Sequence, residues 1–201
     1  LGLLEDHQKR IWVATFGGGL NRFDDSGVKT WTTRDGLVKN AILPLHQASD
    51  GSIWLGTWGA GLQSLRNNTF TTYTTDQGLA HNKVRTITEL RDGSTFVGTN
   101  HGASIMRDGH FETSPLTDAL TDDKVMVLLQ DPDGTIWVGT DRGIIRQSGG
   151  KIERFGRAQG LSGERVRDLY RDSLSNLWVT TSNSGLYGFR NDSFVKVASR
   201  A

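Results

Sequence analysis

The chain has no cysteine, only three prolines in 201 residues, and no apolar run longer than Val125-Met126-Val127-Leu128-Leu129. Without cysteine there is no disulfide framework, no thiol chemistry and no Cys-ligated zinc. The compartment stays open, because periplasmic and cytosolic domains alike can lack it. The apolar run falls far short of the roughly 20 residues that cross a bilayer as a helix. Neither sign of charge dominates, with 23 basic against 22 acidic residues. A balanced chain lacks the basic surface that displaces counterions from DNA or RNA, and it has no polybasic segment for an anionic membrane. Nucleic acid and direct membrane insertion are therefore not expected. No initiator Met or signal peptide opens the chain, which begins at Leu1 in mid-pattern and reads as a piece of a longer protein.

What the sequence does have is a repeat. Ile11-Trp12-Val13-Ala14-Thr15, Ile53-Trp54-Leu55-Gly56-Thr57, Thr95-Phe96-Val97-Gly98-Thr99, Ile136-Trp137-Val138-Gly139-Thr140 and Leu177-Trp178-Val179-Thr180-Thr181 fall into one register. The aromatic anchors at 12, 54, 96, 137 and 178 are spaced by 42, 42, 41 and 41 residues. A glycine and then an apolar residue follow in each: Gly19-Leu20, Gly61-Leu62, Gly102-Ala103, Gly143-Ile144 and Gly185-Leu186.

Each repeat reads as β throughout. In the second, strands are expected over 42–47, 53–57, 62–65 and 69–75, separated by Asp50-Gly51, Trp58-Gly59-Ala60-Gly61 and Asn67-Asn68. Asp-Gly and Asn-Asn pairs suit tight turns that need positive φ at both centres. No segment has a 3.6-residue period of helical length. Four antiparallel strands in some forty residues, repeated, make the blade of a β-propeller rather than a solenoid unit. The expected fold is all-β: a β-propeller of five four-stranded antiparallel blades. It forms one partial domain over 1–201, with repeats near 1–40, 41–82, 83–123, 124–164 and 165–201. The anchor of each second strand is expected to wedge between blades.

These residues carry a family resemblance. Asp-x-x-Gly-x-[Ile/Leu]-Trp-[Val/Leu]-Gly-Thr-x-x-Gly-[Leu/Ile] stands over 131–144, and over 50–62 with Asp50 directly before the glycine and one extra residue in the loop. The linkers Asp35-Gly36-Leu37, Asp76-Gln77-Gly78-Leu79 and Gln159-Gly160-Leu161 follow it. Together they resemble the two-component regulator propeller repeat, the extracytoplasmic sensor of bacterial membrane receptors. The first, third and fifth repeats depart from it at Ala14, Thr95-Phe96 and Thr180. The resemblance implies a periplasmic, non-catalytic sensor region. Its output module, a histidine kinase (often hybrid) or a diguanylate cyclase, would lie outside this chain. It also implies that five blades are part of a larger propeller, and a homodimer formed through the parent receptor.

Blade topology puts the loop between second and third strands on the same face as the loop between blades. Loops carry function on a rigid scaffold, and this face varies where the other has short turns. The candidate ligand-binding residues are Trp58, His81, Asn82, Asn100, His101, Asp141, Arg142 and Asn183, beside Lys39-Asn40, Asp122-Asp123 and Gly163-Glu164. An aromatic plane among hydroxyl-binding groups suits a small polar ligand such as a carbohydrate. Asp118 with Asp122-Asp123 lacks a calcium-loop spacing and reads as a solvated acidic turn. His46 reads as a hydrogen-bonded structural residue, His7 and His110 as turn or outer-strand residues. No catalytic constellation, metal site or cofactor loop is expected; Gly17-Gly18-Gly19 is not followed by a helix, so the phosphate-loop reading fails. Two other readings compete: a protein-interaction scaffold, and an enzyme like the streptogramin lyases. The lyase repeat continues from its Trp into Phe-Thr-Glu, and that Glu is absent from all five repeats here.

Overall fold

In a computed structural model, which describes residues 2–162 and 165–197, the chain forms five four-stranded antiparallel sheets. Each is a meander whose strands pair in chain order. Two compact units result, Leu1–Thr113 and Ser114–Ala201. The first holds the sheets β1 (Gly2–Glu5) to β4 (Gly27–Trp31), with β2 Ile11–Ala14 and β3 Leu20–Asp24; β5 (Ile42–Gln47), β6 (Ile53–Thr57), β7 (Leu62–Arg66) and β8 (Thr69–Tyr73); and β9 (Val84–Glu89), β10 (Thr95–Thr99), β11 (Ala103–Arg107) and β12 (His110–Glu112). The second holds a single-turn helix α1 (Pro115–Ala119), then β13 (Val125–Gln130), β14 (Ile136–Thr140), β15 (Gly143–Ser148) and β16 (Lys151–Phe155), and β17 (Val166–Arg171), β18 (Leu177–Thr181), β19 (Leu186–Arg190) and β20 (Ser193–Lys196).

The turns differ from expectation in one detail. Asn67-Asn68 has φ of 50° and 62°, the mirror-image turn whose twist matches a hairpin. At Asp50-Gly51 only Gly51 has positive φ (84°), and its N–H donates to Ala48 O at 2.9 Å. Lys9 and Ser175 occupy the same left-handed position in the first and fifth repeats, so those departures keep the turn at a steric cost. The linkers also fold more tightly than a plain strand exit. The fourth strand of the second sheet stops at Tyr73, and Thr74 caps a 3₁₀ turn over Thr75–Gln77 that Gly78 ends at φ 100°. Leu79 behind it is buried, as are Leu37 and Leu161 at the matching sites. In the third repeat α1 replaces the 3₁₀ turn, with Pro115 in its first turn and a Ser114 cap. This helix is one the sequence period could not register, being too short to repeat.

Within each unit, successive first strands pack side by side: β1 on β5 and β5 on β9, then β13 on β17. The glycine of the Gly-Thr pair permits this approach. A Cβ on Gly56 would lie 2.3 Å from Pro44 Cγ and 2.7 Å from Val84 Cγ1 of the following sheet; on Gly139 it would lie 2.5 Å from Val166 Cγ1. In the fifth sheet Thr180 takes this place and is exposed. There Leu186 is 36% exposed, whereas its counterparts Leu20, Leu62 and Ile144 are fully buried.

Trp12, Phe96 and Trp137 are buried, Trp54 and Trp178 are half-buried, and three of the anchors form a polar lock. Trp12 Nε1 donates to Asp6 Oδ2 at 2.7 Å, Trp137 to Asp131 at 2.8 Å and Trp178 to Asp172 at 2.8 Å. Ala48 and Leu90 replace the aspartate in the second and third repeats. There Trp54 packs on Tyr73 at 5.7 Å and Phe96 is fully buried. Neighbouring sheets are pinned at a constant separation of 40 residues. His7 N donates to Gln47 Oε1 (2.8 Å), Ser49 N to Glu89 Oε2 (2.7 Å), and Arg171 Nε reaches Asp131 Oδ1 (2.8 Å). His46 belongs to the same system: its Nε2 accepts Glu89 N at 3.2 Å, and burial lowers its pKa against the opposing pull of Glu89.

Two predictions follow from these contacts. Gly139→Ala should cost about 1–3 kcal/mol by overpacking against Val166, read as a lower denaturation midpoint; an unchanged midpoint would show that the sheets part freely. Burial raises the Asp6 carboxyl, but hydrogen bonds from Trp12, Arg10 and Gln8 outweigh it and leave the pKa at about 2. Hydrogen bonds from Asn176 and Trp178 bring Asp172 to about 2 as well. A depressed carboxyl contributes stability above its ordinary 3.8 and loses it as pH falls through about 2. Acid unfolding of Asp6→Asn should therefore be shallower than that of the parent between those pH values, and parallel curves would contradict the lock.

Candidate functional site

The loop face is held by backbone and by the threonine of the Gly-Thr pair. Thr57 Oγ1 donates to Gly61 O at 2.7 Å and accepts from Ala60 N at 3.0 Å. Thr140 makes the same pair with Gly143 O and Arg142 N, and Thr99 with Gly102 O and His101 N. These loops and the inter-sheet loops do share a face, because one binds the other. Asn82 O accepts from Gly59 N (3.1 Å) and Gly61 N (2.9 Å), while its Oδ1 accepts Thr75 N at 3.0 Å. Asn40 repeats this with Gly17, Gly19 and Thr33. Asn82 thus joins three segments, its main-chain carbonyl holding the Gly59–Gly61 loop and its side chain holding Thr75.

In the first unit the face gathers a basic cluster around an aromatic. Lys83 Nζ lies 5.3 Å and the Arg85 guanidinium 5.2 Å from the centre of the Trp58 ring, and Phe16 meets its edge at 6.1 Å. Asn100 Oδ1 accepts from Arg85 Nε (2.8 Å) and Nη2 (2.5 Å), aiming the guanidinium. Lys39 Nζ stands 3.5 Å from where a Cβ on Gly59 would be. His81 Nδ1 accepts Lys83 N at 2.9 Å; burial lowers its pKa first, and Lys83 and His101 lower it further. His101 is exposed beside it. Trp58 therefore carries cations over its ring, where a stacking plane for a sugar was expected, and Phe16, 62% exposed, is the more open aromatic.

In the second unit Asp141 and Asn183 line one pocket of about 590 Å³ with Arg165, Arg167 and Ser182. Arg142 turns instead toward Asp123, its Nε 3.6 Å from Oδ1. Asp123 is 1% exposed and also takes Arg154 Nη2 at 2.7 Å. This corrects the reading of Asp122-Asp123 as a solvated turn: α1 folds the segment so that Asp123 becomes the buried anchor of two arginines. Among the described residues no group of His, Asp and Glu is placed to hold a metal ion. Gly163 and Glu164 lie outside the described residues.

Arg85 and Arg167 are not among the residues the sequence pattern singled out. Each is the extra residue of a β-bulge near the start of a first strand, where the register slips between Val84 and Thr86 and between Val166 and Asp168. A bulge re-aims the side chain it carries. The available signal was their column: Leu43, Arg85, Met126 and Arg167 hold one repeat position, so arginine interrupts an otherwise apolar series.

Sheets of this kind, with first strands side by side and loops gathered on one face, define the chain as β-propeller in fold. The two component regulator propeller model matches residues 119–142 and 160–183, about a quarter of the chain. Among solved structures it is similar to the extracellular domain of the hybrid two component system BT3049 of B. thetaiotaomicron, at 24% identity and TM-score 0.82, over 97% of this chain and 29% of that one. It is similar to virginiamycin B lyase of Staphylococcus aureus at 14% identity and TM-score 0.76, over 99% of this chain and 69% of that one. PorZ of Porphyromonas gingivalis matches at 17% identity and TM-score 0.65, over 94% and 32%. No curated protein matches the chain. The chain thus spans less than a third of the two-component neighbour's length.

The cations around Trp58 give a direct test. Iodide should quench a larger share of indole fluorescence than caesium at equal concentration, and Trp58→Phe should remove most of that difference. Equal quenching by the two ions would contradict a positive local field.

Proposed function

We propose that this chain is the non-catalytic, ligand-sensing propeller region of a bacterial transmembrane receptor. It stands on the periplasmic side and passes occupancy of its loop face to a separate histidine kinase or diguanylate cyclase module. One observation carries this reading. Backbone, glycine and threonine hold the loops of that face in every sheet, which leaves Phe16, Trp58, Arg85, Asn100, Arg165 and Asn183 as variable chemistry on a repeated frame. The regulator-propeller repeats and the likeness to an extracellular domain of a two component system support it. Among the described residues no helix is long and apolar enough to cross a membrane. The ligand is a small polar molecule, with oligosaccharides the first class to try, and the receptor works as a homodimer.

A scaffold for another protein is the second reading. Calorimetric titration of the chain with a panel of neutral and charged oligosaccharides separates the two. Sensing predicts saturable binding that Trp58→Ala weakens about tenfold, the scale of one or two lost contacts, with the thermal midpoint retained. Silence across the panel, together with concentration-dependent self-association, would move the assignment to the scaffold.

A further inference from the structure

The geometry points to an anion-binding pocket on the loop face of the second unit, built by Arg165 and Arg167 with Ser182 and Asn183, that takes a carboxylate, sulfate or phosphate group of a small ligand. It deepens the sensor reading and rests on it for biological purpose, though not for its chemistry.

The pocket measures about 590 Å³, within the range of roughly 300–1,000 Å³ typical of small-molecule sites. Its charges are unbalanced. The other pocket differs: around its volume of about 410 Å³ on the opposite, hairpin face, Arg10 pairs with Asp6 at 2.6 Å, Arg22 with Asp24 at 2.8 Å and Arg66 with Asp50 at 3.2 Å. In the second unit Arg142, Arg146, Arg154 and Arg171 are paired as well. Arg165 and Arg167 have no carboxylate in ion-pair reach among the described residues. Arg165 Nε is buried there without a hydrogen-bond partner, an arrangement that costs free energy until an acceptor arrives.

Asp141, the one acid in the wall among the described residues, does not supply that acceptor. Asp141 Oδ1 accepts Lys124 N at 2.9 Å, and Oδ2 faces Lys124 Nζ at 3.9 Å. The remaining wall is fixed in place. Ser182 N donates to Arg165 O at 2.9 Å, tying the loop between β18 and β19 to the start of β17, and the bulge at Arg167 turns that side chain out of the strand register. Two guanidinium groups lining one pocket with a hydroxyl and an amide suit a planar or tetrahedral anion bound through several oxygens. With a net charge of +1 and no basic stripe, the chain is matched to a small anion rather than to a nucleic-acid backbone.

The experiment titrates the whole chain at fixed ionic strength with glucuronate, glucose and sodium sulfate, following affinity by calorimetry and the arginine Nε–H signals by NMR. Glucuronate should bind at least about tenfold more tightly than glucose, the size expected for hydrogen bonds to a charged group. Sulfate should compete with it, and both anions should shift the Arg165 and Arg167 signals. Arg167→Gln, at an exposed position, should lower glucuronate affinity about tenfold, while Arg190→Gln, with the same charge change at the hairpin end, should not. Arg165→Lys keeps the charge and removes the buried Nε, and should weaken glucuronate as well. Glucose and glucuronate within about twofold of each other, or full glucuronate affinity in both Arg167→Gln and Arg165→Lys, would overturn the pocket. Neutral oligosaccharides that bind without moving either arginine signal would overturn it and leave the sensor reading standing. Anion responses at the arginines with no oligosaccharide bound would support the pocket and count against saccharide sensing.

Discussion

The closest approach between sheets is made where a side chain is missing. Gly56 and Gly139 allow a valine of the following first strand to lie nearly against their backbone. The indole anchors, the Asp–Trp locks and the pins at 40-residue separation all presuppose sheets at that spacing. Burial on both sides of each blade is what makes a lone four-stranded sheet stable, and apolar contact supplies most of that stability. The polar pins add direction: they fix which turn of one sheet meets which strand of the next.

The frame was legible because it repeats. The anchors at 12, 54, 96, 137 and 178 located every second strand, and the glycine after each located the turn into the third. Their packing role followed from size and hydrophobicity alone. The Asp–Trp hydrogen bond was less visible, since its partners sit six residues apart on a hairpin and the aspartate is absent from two repeats. The 3₁₀ turns and α1 escaped for a different reason. They are single turns specified by capping residues such as Thr74 and Ser114, and a periodicity argument needs several turns to register.

The candidate site was legible only in outline. Topology alone placed the second-to-third loops beside the inter-sheet loops, and in the first unit Asn40 and Asn82 join them. Their chemistry depends on neighbours brought in by folding. Arg142 was free to serve a ligand until α1 delivered Asp123 beneath it, and Trp58 was an open plane until Lys83 and Arg85 settled over it. Arg85 and Arg167 point where they do because one extra residue interrupts a strand, a feature that a strictly alternating pattern hides.

The way the loops are held has a further consequence. Asn40 and Asn82 bind neighbouring loops mainly through main-chain carbonyls that accept glycine N–H groups, and the threonines bind main chain too. Stability and recognition are therefore drawn from separate sets of atoms. Side chains at the bulge and loop-tip columns can be exchanged with little penalty to the sheets beneath, so that duplicated copies of one module can drift apart in chemistry while remaining interchangeable in shape. Such a surface can acquire new ligands by substitution at a few positions, each tested by selection almost independently of folding.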